Sequence, residues 1–152
     1  MASEKPKVGP TAYQLIAEAP SRNNLKTGIY LVEYVSIKGK IAKKTGNEYF
    51  EHTLAIKDDP SNNDKQISIL SSRKLSKGRT PEYNTKLYTL VTSLLRRDIS
   101  VGEQINDSDL VGKRCKIFLD ENRGACDVKG IFREDADIQV ELEKLGVYGL
   151  PV

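Results

Sequence analysis

Residues 28–57, GIYLVEYVSIKGKIAKKTGNEYFEHTLAIK, decide the fold because they hold two strand patterns joined by a turn. β-Branched and aromatic residues dominate the stretch from Ile29 to Ile37, and a period of two resumes after Thr-Gly-Asn. Alternation predicts an apolar face and an aromatic-polar face on the first strand. The first would hold Ile29, Leu31, Val35 and Ile37, and the second Tyr30, Val32, Tyr34 and Ser36. The stretch predicts a long β-hairpin.

The segments that follow extend this hairpin to five strands and one helix. QISIL at 66–70 is typical of a short third strand, and KRCKIFL at 113–119 and ACDVKGIFRE at 125–134 of two more. Between them, Thr80 suits a helix N-cap and Pro81 the first helical position. An apolar stripe at helical spacing follows, formed by Leu87, Leu90, Val91, Leu94 and Leu95.

Three strands, a helix and two strands predict a mainly β protein, a small five-stranded OB-like barrel with one capping α-helix and flexible terminal tails. With 152 residues, the chain has the size of one domain. We expect an N-terminal arm at 1–25 and the barrel at 26–133. A C-terminal tail, acidic first and apolar at its tip, would occupy 134–152, and Gly146 would prevent an ordered helical end.

Charge is distributed unevenly along the chain. Residues 1–97 carry 17 Lys and Arg against 9 Asp and Glu, whereas residues 98–152 carry 7 against 12. The first part is therefore a candidate surface for a polyanion, and the acidic end a candidate for partner binding. No apolar run is long enough to span a bilayer and none resembles a signal peptide, so we expect an intracellular protein without membrane partners. Cys115 and Cys126 are interpreted as reduced packing residues.

Four segments together resemble the small OB-fold single-stranded DNA-binding proteins of bacteriophages and mobile elements. They are residues 28–56, KLYTLVTSLL, DLVGKRCKIFL and DVKGIF, and the resemblance covers about residues 26–133. It implies coating of single-stranded DNA in replication, recombination or repair, in the cytoplasm of a bacterial host cell, with replication or recombination proteins docking on the tail and self-association as a further option. The chain departs from the pattern in having no tryptophan for stacking and no run of aspartates at its end.

Single-strand binders combine cations along the phosphates with flat side chains on which bases stack. The predicted phosphate contacts are Lys38, Lys40, Lys43, Lys44, Arg73, Lys74 and Lys77, and the predicted stacking residues are Tyr30, Tyr34 and Tyr49. Alternative readings stay open for each group. Tyr30 and Tyr34 would instead pack under the helix or the arm, the hairpin lysines would form a solvated tip, and the basic loop at 71–80 would be disordered rather than closed over a bound strand.

Sequence motifs for catalysis, metals or cofactors are not found. GxSxG, HExxH, P-loop and GxGxxG patterns are absent, and His52, between Phe50 and Leu54, is interpreted as a hydrogen-bonded core residue. The carboxylates of DDPSNND at 58–64 lack the spacing of an EF-hand. We therefore expect a binding protein without cofactor. The alternatives are an RNA binder and a protein-interaction adaptor that docks through TAYQLIAEA and LGVYGLPV.

Overall fold

The computed structural model describes residues 25–122 and 125–148, which form five strands, three α-helices and one 3-10 turn. The strands are β1 (Gly28–Ile41), β2 (Glu48–Lys57), β3 (Gln66–Ser72), β4 (Arg114–Asn122) and β5 (Ala125–Arg133). The α-helices are α1 (Lys86–Leu95), α2 (Asp107–Leu110) and α3 (Ile138–Lys144), and the 3-10 turn is Pro81–Tyr83. The predicted mainly β class and the five strands are confirmed.

The five strands form one antiparallel sheet in the order β3-β2-β1-β4-β5. Within the described residues the two edge strands, β3 and β5, are not hydrogen-bonded to each other, so the prediction of a closed barrel is wrong. α1 contacts both of these edges instead. The long β1 joins the two halves of the sheet, because it pairs with β2 along its length and with β4 through its first residues.

A β-bulge in β1 determines which side chains reach the core. The register with β2 shifts between Tyr34 and Ser36, so Val35 is bulged and partly exposed. Before the bulge, Val32 and Tyr34 face the core; after it, Ile37 does. The predicted assignment of faces is therefore wrong for the first half of the strand, where the aromatic face is buried.

α1 begins later than its sequence signals indicated. Thr85, not Thr80, is the N-cap, and its hydroxyl accepts a hydrogen bond from the backbone N–H of Tyr88. Thr80 and Pro81 instead introduce the short 3-10 turn. The apolar stripe is confirmed: Leu87, Leu90, Val91 and Leu94 are buried in the main core, and Leu95 packs against it.

α3 covers one half of the outer face of the sheet. Ile138 and Leu142 of the helix are buried against Phe118 of β4 and Phe132 of β5. This helix lies within the segment predicted as a tail, and it ends before Gly146, which has a positive φ of 78°. β4 is thus covered on both faces, since Cys115, Ile117 and Leu119 point into the main core.

The predicted N-terminal arm lies outside the described residues except for Leu25. This leucine is buried in the main core beside the start of β1. α3 packs on the half of the outer face formed by β4 and β5. On the other half, formed by β2, β3 and the second half of β1, side chains such as Lys38, Lys40 and Leu70 are exposed.

Candidate functional site

The inner end of the hairpin holds a buried chain of hydrogen bonds. His52 is fully buried, and its Nδ1 lies 2.7 Å from the Tyr34 hydroxyl while its Nε2 lies 2.8 Å from the Ser71 hydroxyl. The Ser71 hydroxyl also lies 3.0 Å from the carbonyl of Ser72, to which it donates. Ser71 must then accept from His52 Nε2–H, which leaves Nδ1 to accept from the Tyr34 hydroxyl. Every polar atom of this chain is satisfied when His52 is neutral.

Burial lowers the pKa of His52 to about 4, an effect that the charge of Asp107 only partly opposes. Burial, followed by Asp107, raises the pKa of the Tyr34 hydroxyl. Both shifts keep the two side chains uncharged at neutral pH. The interpretation of His52 as a hydrogen-bonded core residue is confirmed, and Tyr34, 1% exposed, cannot stack on a base.

Tyr30 and Tyr34 therefore do not form the predicted stacking row on an exposed face. Tyr30 is half-buried against the main core, and its hydroxyl donates to the backbone carbonyl of Lys26 at 2.7 Å. The sequence correctly predicted that side chains alternate between two faces of the strand, but the face predicted to be buried is wrong. The alternative reading, in which these tyrosines pack inside, describes both residues.

Beyond the bulge, the hairpin presents cations on its outer face. In the register, Lys38 lies opposite Glu51, and Lys40 lies opposite Tyr49. Residues paired across antiparallel strands share a face, so these four side chains project from the same side of the sheet. Both lysines are exposed and Tyr49 is half-buried. Charge and an aromatic ring thus lie together, as predicted for Lys38, Lys40 and Tyr49.

The turn between β1 and β2 carries two more predicted cations. Lys43 and Lys44 are fully solvent-facing in a turn in which Gly46 adopts a φ of 73°. The backbone N–H of Ala42 donates to the carbonyl of Asn47 at 2.8 Å, and the N–H of Gly46 donates to the carbonyl of Ala42. These bonds give the turn a defined shape with both lysines at its tip.

The basic loop after β3 is anchored at both ends. The backbone N–H of Ser76 donates to the Thr85 hydroxyl at 3.1 Å, and the N–H of Gly78 donates to the Asn84 side chain at 2.8 Å. Gly78 lies so close to Tyr83 that a Cβ would come within 2.3 Å of it. Lys74 and Lys77 are exposed on this loop. These hydrogen bonds connect the second half of the loop to the residues that precede α1, and closure of the loop over a bound strand stays a prediction.

Arg73 links the basic loop to the hairpin. Its guanidinium pairs with Glu48 and lies 5.0 Å from the centroid of the Phe50 ring, a cation–π geometry. The third strand thereby places Arg73 beside the tip of the hairpin. Six of the seven predicted cations thus belong either to the β1–β2 tip or to the adjoining segment 73–74, with Lys77 three residues further along the loop.

A shallow depression of about 340 Å³ lies at the edge of this surface. It is lined by Tyr49, Leu70, Ser71, Ser72 and Lys86, and Leu70 is 52% exposed. Leu70, Ser72 and Lys86 were not predicted as site residues. The alternation of QISILSS carried the signal for Leu70, because Ile67, Ile69 and Ser71 are buried and the residues between them face outward. The sequence held no such signal for Lys86, because its position at the depression depends on where α1 begins.

We use the term basic face for the predicted cations together with Tyr49, Leu70 and Lys86. Two carboxylates also belong to its neighbourhood, Glu51 on the outer face and Glu48 near the tip. Neither carboxylate was predicted as a site residue from the sequence. Their presence means that the basic face is partly neutralised by the protein itself.

A second concave surface adjoins the first at Lys86, which lines both. This groove of about 710 Å³ runs between the segment from Thr80 to Thr92, strand β5 and helix α3. Val128, Ile131 and Leu145 give it apolar walls, and Lys129 and Glu141 are also among its lining residues. The predicted nucleic-acid residues are not among its lining residues.

The described residues contain no group of three or more side chains suited to hold a metal ion. Cys115 is a free, buried thiol whose pKa is raised by burial to about 12, which makes it unreactive at neutral pH. Cys126 lies outside the side chains that the structure describes. Among the described helices, none has the length and apolar character needed to cross a bilayer.

In comparisons with known proteins, no family model and no curated protein sequence matches the chain. The function is therefore inferred from the geometry of the basic face.

Proposed function

We propose that the protein binds single-stranded DNA on the basic face, with little sequence preference. The observation that carries the proposal is the common position of Lys38, Lys40 and Tyr49 on the outer face of the sheet, with Lys43 and Lys44 at the adjoining tip. Lysines would neutralise phosphates, and the Tyr49 ring beside exposed Leu70 would receive a base. The resemblance of the sequence to OB-fold proteins of bacteriophages and mobile elements supports the same function.

The features of the face favour a single strand over a duplex. In a duplex the bases are stacked on one another, so their faces are not available to a tyrosine ring. A single strand exposes its bases, so stacking on Tyr49 contributes about 1 to 3 kcal/mol that a duplex cannot gain. Charge contacts and stacking read no base edge, which is why little sequence preference is expected.

The test is fluorescence anisotropy of a labelled oligo-dT titrated with the wild type and with a variant in which Lys38, Lys40, Lys43 and Lys44 are alanine. Each neutralised phosphate releases counterions, so binding should weaken linearly in log–log form with salt. We expect the variant to lose about a hundredfold in affinity at low salt and to show a salt slope shallower by up to about 3.

A matched control removes four exposed lysines elsewhere, at Lys65, Lys113, Lys129 and Lys144. It has the same net charge as the hairpin variant, so it should retain nearly wild-type affinity if position matters. Equal losses in the two variants would reduce the effect to net charge and contradict a site on the hairpin. Duplex and oligo-rU competitors measure the preference for single strands and for DNA over RNA.

The second candidate function is a protein-interaction adaptor, and the observation that favours it is the apolar-walled groove between β5 and α3. An adaptor would tolerate loss of the hairpin lysines and would bind no oligonucleotide. A folded wild-type chain that binds neither oligo-dT nor oligo-rU would therefore replace the leading proposal with this one. Docking of replication or recombination proteins on the acidic C-terminal segment belongs to the leading proposal and is tested by pull-down with the wild type and with Asp135→Asn/Glu143→Gln, which removes two exposed carboxylates and keeps α3 in place.

A further inference from the structure

Two cations of the basic face are already paired with carboxylates. Lys40 Nζ lies 2.8 Å from Glu51 Oε1, and Arg73 pairs with Glu48. The hydrogen bond that Lys40 donates to Glu51 raises the pKa of Lys40 and lowers the pKa of Glu51. A phosphate that approaches Lys40 or Arg73 therefore meets a cation that is already paired with a carboxylate.

Lys38 provides a contrast on the same strand and the same face. It lies directly opposite Glu51 in the register, yet within the described residues no ion pair of Lys38 is found. The Glu51 carboxylate instead reaches the diagonal neighbour, Lys40. Lys38 and Lys40, two residues apart, thus differ in whether a carboxylate is already paired with them.

We infer that Glu51 limits the affinity of the basic face for single-stranded DNA, because a phosphate must displace its carboxylate to reach Lys40 on the same outer face. The inference rests on the proposed function and identifies a residue that sets the strength of the site. The side chains of Lys40 and Glu51 are 44% and 26% exposed, so solvent screens the pair and makes it easy to exchange.

The opposite effect on affinity is also physically reasonable, so the direction of the change in affinity is what the test decides. If Glu51 served to position Lys40 for a phosphate, removing the carboxylate would weaken binding. If Glu51 competes with the phosphate, the same change strengthens binding and adds one counterion-releasing contact. Glu51→Gln distinguishes the two, because it keeps the size of the side chain and removes its charge.

The experiment measures oligo-dT affinity over a series of salt concentrations for the wild type, Glu51→Gln and a control, Glu103→Gln. Glu103 forms a comparable ion pair, 2.7 Å from Arg97, and is not part of the basic face. We expect Glu51→Gln to bind about fivefold tighter at low salt, with a log–log slope steeper by about 0.7. Glu103→Gln should stay within about twofold of the wild type with the same slope.

Lys40→Ala, made in both backgrounds, completes the cycle. It should cost little affinity in the wild type, where Glu51 holds the lysine, and several-fold more in the Glu51→Gln background. Weaker binding by Glu51→Gln, equal gains in Glu51→Gln and Glu103→Gln, or an unchanged Lys40→Ala effect would each overturn the inference while the proposed function stands. A folded wild type without affinity for oligo-dT would overturn both.

Discussion

The two ends of the β1–β2 hairpin are built from the same two strands but carry opposite chemistry. Around the bulge, Tyr34 and His52 bury uncharged polar groups in a fully satisfied chain of hydrogen bonds. Four to ten residues further along β1, Lys38 to Lys44 face solvent around a turn. The bulge at Val35 separates the two environments, since it is where the pairing of β1 with β4 has ended and that with β2 shifts register. Stability should therefore depend on one end and binding on the other.

The largest expected effect is on stability, from Tyr34→Ala. The change leaves a cavity and removes the hydroxyl that bonds His52 Nδ1. We expect a loss of about 4 kcal/mol in the free energy of unfolding, measured by urea denaturation. Lys38→Ala, the comparison at the other end, should change that free energy by less than about 0.5 kcal/mol. Comparable losses in the two variants would remove the distinction between the ends.

The next effect is a pH dependence that originates in His52. Its pKa is about 4 in the folded protein and near 6.5 in the unfolded chain, so between these values the unfolded state binds a proton that the folded state does not. Stability is fully present above pH 6.5 and falls, by up to about 3 kcal/mol, as pH decreases toward 4.

The measurement is urea denaturation between pH 4 and 7.5 for the wild type and His52→Gln. His52 is the single histidine of the chain, so the difference between the two curves isolates its titration from that of the carboxylates. The difference should narrow as pH falls. Parallel curves would mean that His52 titrates equally in both states, which its burial does not allow.

Sequence alone predicted the strands because each has a clear alternation or apolar run, and it predicted His52 from its apolar neighbours. It assigned Tyr34 to the wrong face because the two faces of the first half of β1 are similarly apolar, with Ile29 and Leu31 on one and Tyr30 and Val32 on the other. Which of the two is buried depends on the bulge at Val35. A bulge depends on how the partner strands pair, and the sequence of a single segment does not contain that information. The same limit applies to Lys86 and to the Lys40–Glu51 pair, whose positions follow from tertiary packing and from register.

A smaller effect, on binding alone, is expected from Tyr49→Ala. Removing a stacking ring should weaken oligo-dT binding about tenfold, because one base loses its platform. The free energy of unfolding should change by less than about 1 kcal/mol, since the ring is only half-buried. Tyr148→Ala, which removes a tyrosine that is 75% exposed and lies beyond α3, is the control and should leave affinity unchanged. Equal affinities of the Tyr49 variant and the wild type would exclude stacking at this position.

The smallest effect is expected at Arg73, which contacts both the margin of the core and the charged tip of the hairpin. Its guanidinium lies over Phe50, at the margin of the core, and pairs with Glu48 near the tip. Arg73→Lys keeps the charge and loses the planar contact, so the free energy of unfolding should fall by about 0.5 kcal/mol. Oligo-dT affinity should stay within about twofold of the wild type in both Arg73→Lys and Arg73→Ala, because Glu48 already pairs with the guanidinium. If both variants lose several-fold in affinity, the guanidinium itself contacts the strand, and the boundary between the two ends lies closer to the core than β1 alone indicates.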